Sequence, residues 1–158
     1  MEKYKTNAMR ILDKHKAHYE AFFYESDGAI DGISVAKKIG FDVDMVYKTL
    51  VLKGNDNNYY VAVIPVAKEL DLKKMAKVCE VKKVELIPVA KINAVTGYVR
   101  GGCSPFGMKK DYPIQLDKSA QSLDEIIVSG GKIGVQIKLK VKDIVQIRNA
   151  KFADLLKV

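Results

Sequence analysis

The sequence predicts an α+β fold in one domain over residues 1–158, with a curved, mostly antiparallel sheet flanked by helices. Three observations carry that expectation. Two β-rich runs, "VYKTLVLKG" and "NYYVAVIP", lie either side of the turn residues "GNDNN" and predict a hairpin. Amphipathic helical stretches with their own caps stand between such runs. Strands and helices follow one another without the regular alternation of a parallel βαβ protein, and no repeat, low-complexity tract or linker divides the chain.

Taken in order, Thr6 or Asn7 can cap a first helix whose stripe is Ala8, Ile11, Leu12 and His15. The aromatic run "HYEAFFYE" reads as a strand, and "ISVAKKIG" as a short helix that Gly40 can end. After the hairpin, Asp71 can cap "LKKMAKVCE", where Leu72, Met75, Ala76 and Cys79 recur at helical spacing. A further short helix is expected over "PVAKINAV". A short strand around "YPIQL" and a pair within "EIIVSGGKIGVQIKL" follow, and "VKDIVQIRNAKFADLLKV" is expected to close the chain as helix.

A length of 158 residues suffices for a core without staples, and 48% apolar with 29% charged residues is a globular composition. There is no membrane-length apolar run and no signal-peptide core in "MEKYKTNAMRIL", so Cys79 and Cys103 are expected as reduced thiols in a cytoplasm. The balance of 27 Lys and Arg against 19 Asp and Glu, a net +8, favours a polyanionic partner, though small lysine-rich proteins can be basic without one. Lys132 to Lys157 alone holds seven basic residues against Asp143 and Asp154.

The stretch "GYVRGGCSPFGMKKDYP", Gly97 to Pro113, concentrates chemistry. It lacks the spacing of a P-loop or a dinucleotide fingerprint. Gly101 and Gly102 would still let a ligand approach the backbone and leave amides to face an oxyanion or phosphate, with Ser104-Pro105 fixing the exit; a plain tight turn is the alternative. "VSGGKIG" repeats the theme with Ser129, Gly130, Gly131 and Lys132, and here the alternative is a hairpin turn. Lys48 shares a strand face with Leu50 and Leu52, so it either snorkels outward or enters a pocket. Cys103 has no evident base, although a dyad with His15 or His18 is geometrically open. The histidines and cysteines lack metal-ligand spacing, and no cofactor is expected.

Six segments occur together in register: "TNAMRIL", "VYKTLV", "VIPVAKELDLKKMAK", "TGYVRGGCSPFGMKK", "VSGGKIG" and "AKFADL". Over essentially the whole chain they resemble the YbaK/EbsC family of aminoacyl-tRNA deacylases, and most of all its Cys-tRNA(Pro) deacylases. The resemblance implies a barrel-like antiparallel sheet and a trans-editing hydrolase that removes cysteine from mischarged tRNA(Pro), with prolyl-tRNA synthetase as a further partner. It assigns Lys48 as the essential lysine and Gly101 and Pro105 as the ends of a GxxxP motif containing Gly102 and Ser104. Tyr24 becomes a pocket aromatic, and Ser129, Gly130 and Lys132 a second glycine loop. Two positions depart from the pattern: Cys103 replaces an aliphatic residue, and Gln136 replaces an acidic one. The family's chemistry uses the substrate's own thiol as nucleophile. The rival readings are a broader Ala-, Ser- or Pro-tRNA editor using water, and a non-catalytic tRNA- or synthetase-binding module.

Overall fold

The computed structural model describes residues 5–25 and 31–158. Helix α1 (Asn7–Lys14) starts where Thr6 accepts a hydrogen bond from the Met9 amide. Its buried side is Ala8, Met9 and Leu12, while His15 is the exposed C-cap, so the stripe is turned by one position from the expected one. Strand β1 (Tyr19–Phe23) follows, then α2 (Gly32–Ile39), capped by Asp31 and ended by Gly40 in the left-handed region. The hairpin is β2 (Tyr47–Gly54) and β3 (Tyr59–Pro65), and Asp71 caps α3 (Leu72–Val78) through the Lys73 and Lys74 amides. Next come β4 (Val84–Leu86), α4 (Val89–Thr96) and β5 (Ile114–Asp117). Strands β6 (Glu125–Lys132) and β7 (Val135–Lys140), helix α5 (Val141–Arg148) and β8 (Lys151–Ala153) complete the chain.

These strands form two sheets, β1-β7-β6 and β4-β2-β3-β5-β8. Pairing is antiparallel except for β3 with β5 and β5 with β8, which are parallel. The inner faces of both sheets, with α1 and α5, enclose the main core, in which Val63, Leu116, Ile126, Ile137 and Phe106 are almost fully buried. On the outer face of the five-stranded sheet, α3 packs Met75 and Ala76 over Leu52, Ala62 and Ile64. Helix α2 covers the seam between the sheets, setting Ala36 on Val46, Val66 and Ile127.

Three expectations are corrected. The sheet does not close into a barrel: among the described residues the two sheets are joined by one parallel bridge, Val46 to Ile127. The C-terminal helix stops at Arg148, because Asn149 takes a left-handed conformation; β8 then pairs with β5 and carries Leu155 into the outer core, where its amide donates to Asp117 at 3.1 Å. Ser129-Gly130-Gly131-Lys132 is a bulge within β6, and the hairpin turn falls at Ile133-Gly134. Strand β4 carried no sequence expectation. Three residues with only Val84 buried are too few to display a period.

Candidate active site

A deep recess arises where β2 runs without a neighbour. On one side β2 pairs with β3 along its length. On the other, β6 meets it only at Val46, and β4 only from Leu52 onward. Between those points Tyr47–Val51 borders a cleft of about 530 Å³. Helix α4 and the chain just before it roof it with Ile87, Val89 and Ile92, and the N-terminus of α2 closes it with Asp31, Gly32 and Ile33. The gap that keeps the sheets from closing is therefore the cleft itself.

Lys48 stands two residues beyond the Val46 bridge, and Ser129 two residues beyond Ile127 on the other strand; both line the cleft. Lys48 shares the outer face of β2 with Leu50 and Leu52, opposite Ile64. Half-buried, it has no hydrogen bond or ion pair among the described residues. Burial pulls its pKa below the ordinary lysine value of 10.5, and the more distant charge of Glu69 only partly offsets this.

The glycine-rich segment is tied down throughout. Arg100 and Gly101 occupy the centre of a turn closed by the Gly102 amide on the Val99 carbonyl at 2.9 Å, with Gly101 at φ +85°. Left-handed backbone at this position favours glycine. A Cβ on Gly102 would lie 2.9 Å from the Ile133 amide nitrogen and 3.1 Å from the Lys132 backbone, so the segment rests directly on the β6–β7 turn. Because the Gly102 amide is used in the turn, Gly101 supplies the amide that makes no hydrogen bond among the described residues. Beyond it, Ser104 is fully buried and accepts from the Phe106 amide, while Pro105 presents its carbonyl to Arg148 Nε at 2.7 Å.

Of the residues singled out from sequence, Lys48, Gly101 and Ser129 meet at the cleft wall. Gly102, Ser104, Pro105 and Gly130 are buried behind it and shape it. Lys132 is exposed outside the lining, and Tyr24 lies beside Lys38, whose Nζ is 5.9 Å from its ring centre. Cys103 does reach the cleft wall, but burial pushes its thiol up to about 11, which holds it in the unreactive neutral form. Neither histidine lines the cleft.

Four further lining residues escaped the sequence reading as site candidates: Arg100, Asp31, Thr49 and, as a positive contributor, Gln136. Arg100 adjoins Gly101, so its place in the same turn was a usable signal. Asp31 carried no sequence expectation; it caps α2 by accepting from the Ser34 amide at 3.0 Å. Thr49 Oγ1 is buried with no hydrogen-bond partner among the described residues. Gln136 faces Ser129 across the β6–β7 ladder, a pairing that depends on the bulge. The wall thus offers two cations, one carboxylate and neutral polar groups around a largely apolar floor. Among the described residues, no group of three or more His, Cys, Asp or Glu is placed to hold a metal ion.

An aminoacyl-tRNA editing domain model matches residues 31–147, which takes in the whole cleft wall. The chain belongs to that family. Within it, the chain is 46% identical over 152 residues, 96% of its length and 93% of the other's, to an Enterococcus faecalis protein provisionally named Cys-tRNA(Pro)/Cys-tRNA(Cys) deacylase EbsC. The editing fold is shared with a provisional trans-editing enzyme for prolyl-tRNA synthetase at TM-score 0.84 and 20% identity, covering 99% of this chain and 100% of that one. A second solved structure, a hypothetical protein named APE2540, superposes at TM-score 0.88 with 20% identity over 96% and 99% of the two chains.

Proposed function

We propose that residues 1–158 form one trans-acting editing domain that hydrolyses the ester of mischarged Cys-tRNA(Pro) in the cytoplasm, with the substrate's thiol as nucleophile. The observation that carries this reading is a cleft with a desolvated lysine and, among the described residues, no histidine placed to activate a nucleophile in its wall. Lys48 and Gly101 stand in its wall, no histidine does, and the Cys103 thiol is held neutral. The name of the 46% identical relative, which joins two tRNAs through their shared cysteinyl group, supports the same assignment.

In the proposed step the substrate thiol loses its proton to solvent, and its sulfur attacks the ester carbonyl carbon. Lys48 and the Gly101 amide stabilise the charge that gathers on the carbonyl oxygen. The carbon–oxygen bond to the terminal ribose then breaks, the ribose oxygen takes up a proton, and a four-membered cyclic thioester leaves. Water opens that strained ring to cysteine. Holding sulfur and carbonyl in attack geometry is itself worth about 7–11 kcal/mol. Prolyl-tRNA synthetase is the further partner proposed, as the enzyme whose error creates the substrate.

Single-turnover deacylation of Cys-, Ser- and Ala-tRNA(Pro) tests the reading. Cysteine should be released rapidly, and the seryl and alanyl esters should approach the spontaneous rate. A pocket sensing volume alone separates such similar side chains by only about 1–3 kcal/mol. Comparable rates on all three esters would place water in the role of nucleophile.

A further inference from the structure

A second groove, of about 410 Å³, lies away from the cleft between the end of α1, the start of β1 and the first turn of α5. Both histidines of the chain, His15 and His18, line it together with Lys16, Lys140, Lys142 and Asp143. Elsewhere on the surface, Lys5, Lys74, Lys83, Lys138 and Lys157 each form an ion pair with a carboxylate. The side chains of Lys16, Lys140 and Lys142 form none among the described residues, and neither does Asp143 or Glu125, which faces Lys140 across the β6–β7 ladder. Helix α5 begins at Lys140 without a side-chain cap, and its Val141 amide donates to the Asp124 carbonyl at 3.0 Å.

The groove is also in register with the cleft. Gln136, Lys138 and Lys140 alternate onto one face of β7. Gln136 lines the cleft and Lys140 lines the groove. Four residues of strand span about 13 Å, the length of about four stacked nucleotides at 3.4 Å each. Between them Lys138 is held by Glu20 at 3.3 Å and lies 5.2 Å from the Phe41 ring centre.

We propose that this groove binds the phosphate backbone of the tRNA where its acceptor stem begins, while the aminoacylated end enters the cleft. The proposal rests on the deacylase reading. It adds an RNA-binding surface that makes no contact with the amino acid or the base sequence, only with phosphates spaced along the strand.

The test uses the full chain carrying Lys140→Glu and Lys142→Glu, with a second variant, His15→Ala and His18→Ala. Lys73→Glu and Lys77→Glu, exposed on α3, form a control with the same change in net charge. Expected for the groove charge reversal is at least a tenfold weaker half-saturation for Cys-tRNA(Pro), with the saturating single-turnover rate unchanged. The slope of log affinity against log salt should fall by about one to two, at about 0.7–0.9 per lost phosphate contact. The histidine variant should weaken half-saturation less, in the same direction. Deacylation of the cysteinylated CCA trinucleotide, which has no stem, should be unaffected by any variant. Equal weakening by the α3 control, or an unchanged half-saturation in the groove variant, overturns the proposal. So does a groove variant that loses binding to acidic phospholipid vesicles while still binding tRNA normally. Filter binding of uncharged tRNA separates the two readings: a wild type inactive on Cys-tRNA(Pro), with groove variants that still lose uncharged tRNA, removes the deacylase and keeps the surface.

Discussion

At Lys48, strand alternation sets an ammonium on a face otherwise made of leucines, and burial depresses its pKa. Lys48→Ala should therefore reduce single-turnover deacylation more than tenfold, a loss above about 1.4 kcal/mol of transition-state stabilisation. Lys48→Met keeps the apolar stem and should be equally inactive with an unaltered urea midpoint, which separates lost charge from lost packing. A wild-type pH profile should rise as the substrate thiol ionises, with a free pKa of about 8.5. It should fall again as Lys48 loses its proton, and because burial lowers that pKa, the falling limb should lie below 10.5. A profile still rising through 10.5 would remove the lysine from the charged step. Cys103 is the converse case: buried and protonated, it should tolerate Cys103→Ala with most activity kept. A trapped acyl-enzyme on the wild type would contradict that.

Among the elements, the glycine-rich segment depends most on its neighbours. Arg148, 8% exposed, reaches from α5 to the Pro105 carbonyl at 2.7 Å and the Tyr112 carbonyl at 2.9 Å. Its guanidinium lies 3.5 Å from the exposed Asp111 carboxylate, a pair worth little by comparison. Replacing it with methionine leaves the two carbonyls without their donor, at a cost of about 2–4 kcal/mol. Arg148→Met should lower the urea midpoint and raise half-saturation for substrate, because Gly101 is carried by the same segment. Arg148→Lys should recover only part of both, since an ammonium cannot reproduce the forked donor geometry. Unchanged half-saturation in a folded Arg148→Met would show that the turn holds its shape without this anchor.

For the molecule as a whole, the net +8 is not spread evenly, and the basic C-terminal third supplies part of the groove beside α5. Affinity for tRNA should fall steeply between 50 and 200 mM salt, as phosphate contacts release counterions. A flat response in a filter-binding titration would shift recognition to the aminoacyl group or to a protein partner. Among the described residues no helix is long and apolar enough to cross a membrane.

Local physical rules were enough to read most elements. The hairpin of β2 and β3, the caps Thr6 and Asp71, and the stop at Gly40 each depend on neighbours within a few positions, and the structure retains all of them apart from a one-position turn of α1. Lys48 was legible for the same reason: a charge breaking an apolar alternation is visible in a single strand. Other features depend on contacts between distant segments and carry no local signal. Strand β8 exists because β5 offers an edge and the outer core accepts Leu155. Ser129 meets Gln136 only because the bulge at Gly130-Gly131 shifts the register, so residue spacing alone would have paired them otherwise. Arg100, Asp31 and Thr49 become neighbours of Lys48 because β4 and β6 leave the middle of β2 uncovered. Sequence determined the hairpin, the capped helices and a charged residue that breaks a strand's apolar pattern. The tertiary structure decided the cleft, since a cleft is a missing contact between strands far apart in the chain, and no local propensity encodes it.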